Sequence, residues 1–136
     1  TLHGDGELQE GQIWEALMYA AAKKVDNIIS TIDYNGRQID GDVDDVITLG
    51  NLKEKWQAFG WHVLEMNGHD FDDMRKTLAE AKAKTGHGKP IVILMTTEMG
   101  QGVDYMMGTH KWHGSAPNVE QLESALNQLE ETLGDY

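Results

Sequence analysis

The spacing of three apolar segments constrains the fold of this chain more than any other feature. The segments lie at 27–33, 61–66 and 91–97, and each has the length and aliphatic composition of a buried strand. Stretches with helical patterns separate them. Strands that alternate with helices form a parallel sheet with helices on both faces. The sequence therefore predicts an α/β fold.

The remaining pattern predicts helices at 10–25, 49–59, 71–85 and 119–133, with loops at 34–45 and 98–118. The first helix is apolar on nearly every face and is therefore predicted to be buried. Three strands are few for such a sheet. The chain also lacks an initial Met and has only Thr1 to His3 before a glycine-rich turn. We therefore expect part of one domain.

Charge and composition exclude several classes of function. The formal net charge is −12, from 11 basic and 23 acidic residues, which argues against nucleic-acid binding. An anionic ligand would need backbone amides, a helix N-terminus or a metal ion. There is no cysteine, which excludes disulfides, thiolate metal sites and a cysteine nucleophile. With no apolar run of bilayer length and no signal-peptide pattern, we expect a cytoplasmic protein without membrane contact.

Asp5 and Asn35 mark the first candidate site. Asp5 lies between Gly4 and Gly6 before the first predicted helix, and Asn35 follows the next predicted strand. Because ligands in parallel α/β sheets bind beyond the carboxyl ends of strands, both loops are expected at one edge. A carboxylate, an amide oxygen and a nearby carbonyl are ligands of the kind that Mg²⁺ takes. Glycine amides and a helix N-terminus would favour a diphosphate there.

These segments have other interpretations. Asp5 could be a plain turn residue and Asn35-Gly36 a hairpin turn, although residues 37–45 are too acidic and glycine-rich to return as a strand. Gln9 occupies the third glycine position of G-x-G-x-x-G, and no Walker A sequence occurs. The aspartates at 40, 42 and 44 are similar to the start of a calcium loop, but its glycine and glutamate are missing.

Two further groups of residues could carry chemistry. His110 and His113 lie in a long glycine-rich stretch, and such loops are usually functional or disordered. No third soft ligand is evident for zinc, so a histidine that faces phosphate or substrate is favoured. Glu10 and Glu15 lie on the helix predicted to be buried, where carboxylates need partners or protons.

Several of these segments resemble one known family. Residues 4–11, Gly-Asp-Gly-Glu-Leu-Gln-Glu-Gly, and 35–41, Asn-Gly-Arg-Gln-Ile-Asp-Gly, resemble the thiamine-diphosphate signature as it occurs in transketolases. Phe-Gly-Trp at 59–61 and Lys-Trp-His-Gly-Ser-Ala-Pro at 111–117 are similar to transketolases as well. The resemblance covers essentially the whole chain and is closest to the N-terminal subunit of two-part bacterial transketolases. It implies the thiamine-diphosphate-binding fold. Residues 1–136 would be the second half of the diphosphate-binding (PP) domain, without its upstream half and the pyrimidine domain.

The resemblance also implies roles for individual residues. Asp5, Asn35 and the backbone carbonyl of Arg37 would ligate Mg²⁺, for which Ca²⁺ could substitute. His113 would lie near the diphosphate and the donor substrate, and Glu10 and Glu15 would lie at the interface that links paired active sites. The implied cofactor contacts are Gly4, Asp5, Gly6, Asn35, Ile39 and His113.

The implied reaction transfers a two-carbon ketol unit from a ketose phosphate to an aldose phosphate, as in the pentose phosphate pathway. The partner would be a pyrimidine domain or a C-terminal subunit, in a homodimer or a heterotetramer. Because the glutamate that activates the aminopyrimidine belongs to that partner, this chain alone is expected to be inactive. The alternatives are 1-deoxyxylulose-5-phosphate synthase, a 2-oxo acid dehydrogenase E1 component, or a non-catalytic magnesium-binding α/β module. Residues 111–117 favour transketolase over the first two.

Overall fold

A computed structural model describes residues 1–130 of the chain. A 3-10 helix, Gly6–Gln9, joins the first strand to the first helix. The strands are β1 Leu2–Gly4, β2 Ile29–Tyr34, β3 Arg37–Gln38, β4 Gly41–Asp42, β5 His62–Asn67 and β6 Ile91–Thr96. The helices are α1 Gly11–Ala22, α2 Val43–Ile47, α3 Leu52–Ala58, α4 Phe71–Ala83 and α5 Val119–Gln128.

The main sheet has four strands in the order β1-β2-β6-β5, and every neighbouring pair is parallel. The predicted α/β class and parallel sheet are therefore confirmed. The register pairs Gly4 with Asp33 and Asp33 with Met95, so that β1, β2 and β6 end at the same level. The loops that follow these strands consequently emerge side by side at one edge of the sheet.

The burial of the interior strand β6 shows that helices cover both faces of the sheet. Its residues 91–94 are all buried, and they alternate between two hydrophobic clusters. Val92 and Leu94 pack in the cluster with α1 and α3, whereas Ile91 and Ile93 pack in the cluster with α4. A strand covered on both faces has a continuous apolar run, which is the pattern found in the sequence.

Polar caps define the starts of three helices. The side chain of Asn51 accepts a hydrogen bond from the Glu54 amide at the start of α3. Asp70 caps α4 through the amides of residues 72 and 73. Asn118 and Gln121 form a capping box at the start of α5. These caps place helix starts within a few residues of the predicted ones, because Asn and Asp side chains satisfy otherwise unpaired amides.

The segment predicted as a loop at 34–45 contains more structure than expected. Residues Arg37–Gln38 pair antiparallel with Gly41–Asp42, and α2 begins at Val43. These short strands pair with each other and not with β2, so the segment does not return as a strand from a hairpin at Asn35-Gly36, as expected. The turn of the ribbon lies at residues 39–40 and not at Asn35-Gly36. Gly41, at φ 148°, has a backbone conformation that suits glycine.

The prediction that α1 is buried on nearly every face is wrong. The helix buries Ile13, Leu17 and Ala20, while Met18 is 51% and Tyr19 is 64% exposed. Apolar composition alone did not reveal which stripe faces the sheet.

The last helix is predicted to reach residue 133, but it ends at Gln128, because the next residue, Leu129, has an extended backbone. Residues 131–133 of that prediction lie outside the described residues.

Within residues 1–130, no helix is both long and apolar enough to cross a bilayer.

Candidate functional site

A cleft of about 550 Å³ lies at the carboxyl ends of β1 and β2. Three loops form it: the turn after β1, the segment after β2 with the β3–β4 ribbon, and the long loop before α5. All the residues assigned from sequence line this cleft, except Glu15. The lining residues from that assignment are Gly4, Asp5, Gly6, Glu10, Asn35, Arg37, Ile39 and His113.

Asp5 lies at the centre of this arrangement and is only 1% exposed. Its amide donates to the Asp33 carbonyl at 3.1 Å, which extends the pairing of β1 with β2 by one residue. One carboxylate oxygen accepts from the Gly6 amide at 2.7 Å and the other from the Gly36 amide at 2.5 Å. The side chain thus joins the loop after β1 to the loop after β2.

Burial raises the pKa of the Asp5 carboxyl above its ordinary value of 3.8, and the nearby Asp33 carboxylate acts in the same direction. The hydrogen bonds from Gly36 and Gly6 oppose this shift without cancelling it. A carboxyl whose pKa is raised in the fold stabilises the fold in its protonated form. That contribution is lost as pH rises from 3.8 through the raised pKa. The ionised Asp5 is therefore a group that a bound cation would stabilise.

The side-chain amide of Asn35 lies at the same cleft as Asp5. Its Oδ1 accepts from the Arg37 amide at 2.8 Å, and its Nδ2 donates to Asp33 Oδ2 at 3.3 Å. The two ends of the amide therefore have different partners. The Arg37 guanidinium forms an ion pair with Asp42, so its charge is already engaged within the ribbon.

The charges that line the cleft make direct binding of an anion unfavourable. Five carboxylates and one guanidinium line the cleft, and the guanidinium is already ion-paired with Asp42. The carboxylates belong to Asp5, Glu7, Glu10, Asp33 and Asp40, and the guanidinium to Arg37.

The donor set fits a hard divalent cation. Among the ion pairs of residues 1–130, none involves Asp5. A buried carboxylate without a cationic partner, next to an amide oxygen, suits Mg²⁺, which takes few protein ligands and completes its shell with phosphate and water. The same part of the chain contains no group of three or more His, Cys, Asp or Glu side chains that could hold a metal. Water and the oxygens of a bound ligand such as a phosphate would supply the rest of the shell.

Gly6 is required because two segments approach closely at this point. A Cβ atom there would lie 2.6 Å from Gln38 Oε1 and 2.8 Å from Gln38 Cβ. The second contact is with the root of a side chain, which cannot move away freely. Only glycine therefore lets the turn after β1 pack against the β3–β4 ribbon.

The long loop from residue 97 to 118 brings His113 to the cleft. Within it, the Trp112 indole donates to the Tyr105 carbonyl at 2.9 Å, and the two rings pack edge to face. The Tyr105 hydroxyl donates to the Gln121 carbonyl at 2.6 Å, which attaches the loop to α5. His113 itself is exposed, while its neighbour His110 does not line the cleft.

The two helix glutamates occupy different places. Glu10 is the N-cap residue of α1 and lines the cleft, so the amino-terminal end of this helix borders the site. Glu15 lies on the exposed side of α1 and away from the cleft. Both side chains are exposed in this chain, and neither is a buried carboxylate as the sequence suggested.

Sequence inspection missed Asp33, Gln9 and Thr97. Asp33 stands near the carboxyl end of β2, a position that the rule about strand ends could have indicated. The Gln9 amide donates to the Ile47 carbonyl at 2.9 Å and so ties the 3-10 helix to α2. Thr97 donates its hydroxyl to the Asp33 carboxylate, and no local pattern signals this contact across the sheet.

Comparison with known proteins identifies the family of this arrangement. The family model described as "Transketolase, thiamine diphosphate binding domain" matches residues 1–133. The chain belongs to the transketolase family. One relative, an apulose-4-phosphate transketolase subunit from Phocaeicola vulgatus, is 40% identical over 133 residues, which cover 98% of this chain and 47% of that protein. A second, a 6-deoxy-6-sulfo-D-fructose transketolase subunit from a Clostridium species, is 41% identical over 96% of this chain and 46% of that protein.

Solved transketolase structures share the fold. The transketolase of Campylobacter jejuni superposes with a TM-score of 0.84 and 38% identity over 93% of this chain, which corresponds to 20% of that chain. The transketolase of Leishmania mexicana gives a TM-score of 0.82 and 36% identity over 91% of this chain and 18% of that one. The thiamine-diphosphate-binding fold expected from the sequence is thereby confirmed. The chain spans about half the length of the transketolase subunits from Phocaeicola vulgatus and Clostridium.

Proposed function

We propose that this chain holds the magnesium-bound diphosphate of thiamine diphosphate in a transketolase. That enzyme transfers a two-carbon ketol unit from a ketose phosphate to an aldose phosphate. The observation that carries the proposal is the buried Asp5 carboxylate, which lies beside Asn35 in an acidic cleft and has no cationic partner among residues 1–130. Such a cleft would hold a diphosphate only through a cation.

In this proposal, Asp5, Asn35 and the Arg37 carbonyl ligate Mg²⁺, and Gly4, Gly6 and Ile39 contact the cofactor. Ile39 is 67% exposed at the cleft, so its apolar side chain is free to cover a ring. Bound thiamine diphosphate would supply the thiazolium carbon that forms and breaks the carbon–carbon bond. The residues of this chain bind and orient that group, while His113 faces the diphosphate and the donor substrate.

The remaining parts of the active site would come from elsewhere. We propose that the chain is the second half of the diphosphate-binding domain and that its partner is a pyrimidine domain or a C-terminal subunit. The names of two relatives as subunits support such an assembly. A homodimer or heterotetramer in the cytoplasm would follow. The net charge of −12 argues against a nucleic-acid partner.

A coupled transketolase assay tests this division of labour. We expect the purified 136-residue chain to show no turnover, because the glutamate that activates the aminopyrimidine would be on the partner. Adding the remainder of the enzyme should restore activity. The donors should include apulose 4-phosphate and 6-deoxy-6-sulfo-D-fructose besides common ketose phosphates, since two relatives are named for them. Clear turnover by the chain alone would contradict the proposed division.

The proposed interface role of Glu15 gives a separate prediction. Glu15 is exposed on α1 next to the exposed Met18 and Tyr19, an apolar surface that suits association. In the complete enzyme, Glu15→Ala should weaken subunit association by about tenfold, or about 1.4 kcal/mol. Sedimentation velocity would measure the association and calorimetry the binding of cofactor to paired sites.

Lys23→Ala provides the matched control, because Lys23 is exposed at the other end of the same helix. It should leave both measurements unchanged. If Glu15→Ala also leaves the oligomer and the isotherm unchanged, Glu15 is an ordinary exposed glutamate.

A further inference from the structure

Three polar side chains form a hydrogen-bonded series behind the proposed metal site. The Thr97 hydroxyl donates to Oδ1 of Asp33, and Oδ2 of Asp33 accepts from Asn35 Nδ2 at 3.3 Å. Both oxygens of the Asp33 carboxylate are therefore engaged. The series starts at the end of β6, crosses the end of β2 and finishes at Asn35. It thus connects the middle of the sheet to the cleft.

We propose that Asp33 and Thr97 are positioning residues that orient the Asn35 amide toward the metal, an inference that rests on the proposed function. The two ends of an asparagine amide have nearly the same shape, so its orientation depends on its hydrogen-bond partners. A carboxylate accepts hydrogen bonds and donates none when ionised. Asp33 therefore accepts from the NH₂ end of Asn35, and the Arg37 amide donates to Oδ1 at 2.8 Å, so both partners favour the same orientation.

Thr97 is fixed in turn by close packing on its other side. Its amide lies 3.4 Å from the Tyr34 carbonyl, which continues the pairing of β6 with β2. Its methyl group lies against Gly68, where an added Cβ atom would be 2.4 Å from Thr97 Cγ2. Gly68 lies in the turn after β5, and its amide donates to the Thr96 carbonyl at 2.8 Å. With the methyl held by Gly68, the hydroxyl is directed to Asp33.

This arrangement has the form of an outer shell around a metal ligand. Groups that hydrogen-bond to ligands fix their orientation, and their loss typically costs 10–100-fold in metal affinity. Asp33 has a second effect, because its negative charge adjoins Asp5 and favours a cation in the cleft. The Thr97 hydroxyl is connected to Asn35 through Asp33, so a change at Thr97 tests orientation without removing a charge.

Thr97→Val is the decisive variant, since it replaces a hydroxyl by a methyl group of similar size. In the complete enzyme, we expect the Mg²⁺ concentration for half-maximal binding of thiamine diphosphate to rise about tenfold, the low end of the range for direct partners of a ligand, because Thr97 reaches Asn35 through Asp33. Thr97→Ser, which keeps the hydroxyl, should restore the wild-type value. Titration calorimetry at a series of Mg²⁺ concentrations gives the measurement. A purely structural role would lower thermal stability without changing the metal requirement.

Thr85→Val is the matched control. The Thr85 hydroxyl donates to the Lys82 carbonyl at 2.8 Å, at the end of α4. Its loss should leave the metal requirement unchanged. If Thr97→Val fails to fold, Thr97→Ala removes the same hydroxyl without adding bulk and should raise the Mg²⁺ requirement in the same way.

The outcomes separate this inference from the function on which it rests. If wild-type enzyme binds the cofactor without any dependence on Mg²⁺, the proposed function fails and the inference fails with it. If wild-type binding depends on Mg²⁺ but Thr97→Val has the same requirement, only the positioning role is overturned. An elevated requirement in Thr97→Val with recovery in Thr97→Ser supports the role.

Discussion

Asp5→Ala should abolish magnesium-dependent binding of thiamine diphosphate in the complete enzyme, with a loss of more than about 100-fold, or about 2.8 kcal/mol. The physical reason is charge. Asp5 is the most buried of the carboxylates that line the cleft and the one that joins its two loops. Without a metal held there, the diphosphate would face the remaining carboxylates with no counter-charge. Titration calorimetry with and without Mg²⁺ measures the loss.

The fold must be controlled in this experiment. Asp5→Ala also leaves the Gly6 and Gly36 amides without their acceptor, and an unsatisfied buried donor costs about 1–3 kcal/mol. Asp5→Asn keeps the shape and one acceptor oxygen, so it should fold better and still fail to bind. Asp72→Ala removes the same charge at an exposed position on α4 and should bind normally. Near-normal affinity in both Asp5 variants would overturn the metal assignment.

His113→Ala should reduce kcat/KM for the donor ketose phosphate by about 100-fold or more, with little change in thermal stability. A histidine that contacts the diphosphate and the donor substrate helps to position the reacting groups, and misplacement of such groups can cost about 100-fold in rate. The side chain is exposed at the cleft, so its removal creates no cavity in the core. Steady-state kinetics over a range of donor concentrations separates the loss in turnover from the loss in donor affinity.

His110→Ala is the matched control for His113. The two histidines occupy the same loop, and the His113 amide donates to the His110 carbonyl at 2.9 Å, a contact that an alanine retains. His110 does not line the cleft, so its side chain should be dispensable. Unchanged donor kinetics in His113→Ala would show that this histidine is structural.

The loop that carries His113 depends on a contact that its own sequence does not reveal. The Glu98 amide donates to His69 Nε2 at 2.7 Å, and Glu98 Oε1 accepts from the Gly108 amide at 2.8 Å. By its sequence neighbours alone, His69 is an ordinary turn histidine. In the fold, it holds the start of the loop beside the end of β5. Turn composition identified the loop but could not identify this attachment.

The amino-acid sequence was sufficient to predict the main elements and the chemistry of individual motifs. Strand length and apolar periodicity depend on neighbours within a few residues, and these features predicted β2, β5, β6 and their helices closely. The turn around Asp5 and the residue Asn35 were identifiable because parallel strands send such loops to one edge. These predictions require only the hydrophobic periodicity of each segment and the alternation of strands with helices.

The contacts between residues that are distant in the sequence depend on how the sheet is assembled. The placement of β6 between β2 and β5 brings Thr97 to Asp33, two residues that are 64 positions apart. The same folding delivers His113 to the cleft and exposes one side of α1. Local sequence patterns indicate which residues are buried and whether a segment is a helix or a strand. They do not indicate the order of the strands in the sheet, and that order determines which loops are neighbours. The hydrogen bond from Thr97 to Asp33, which lies behind Asn35, therefore could not be predicted from the sequence alone.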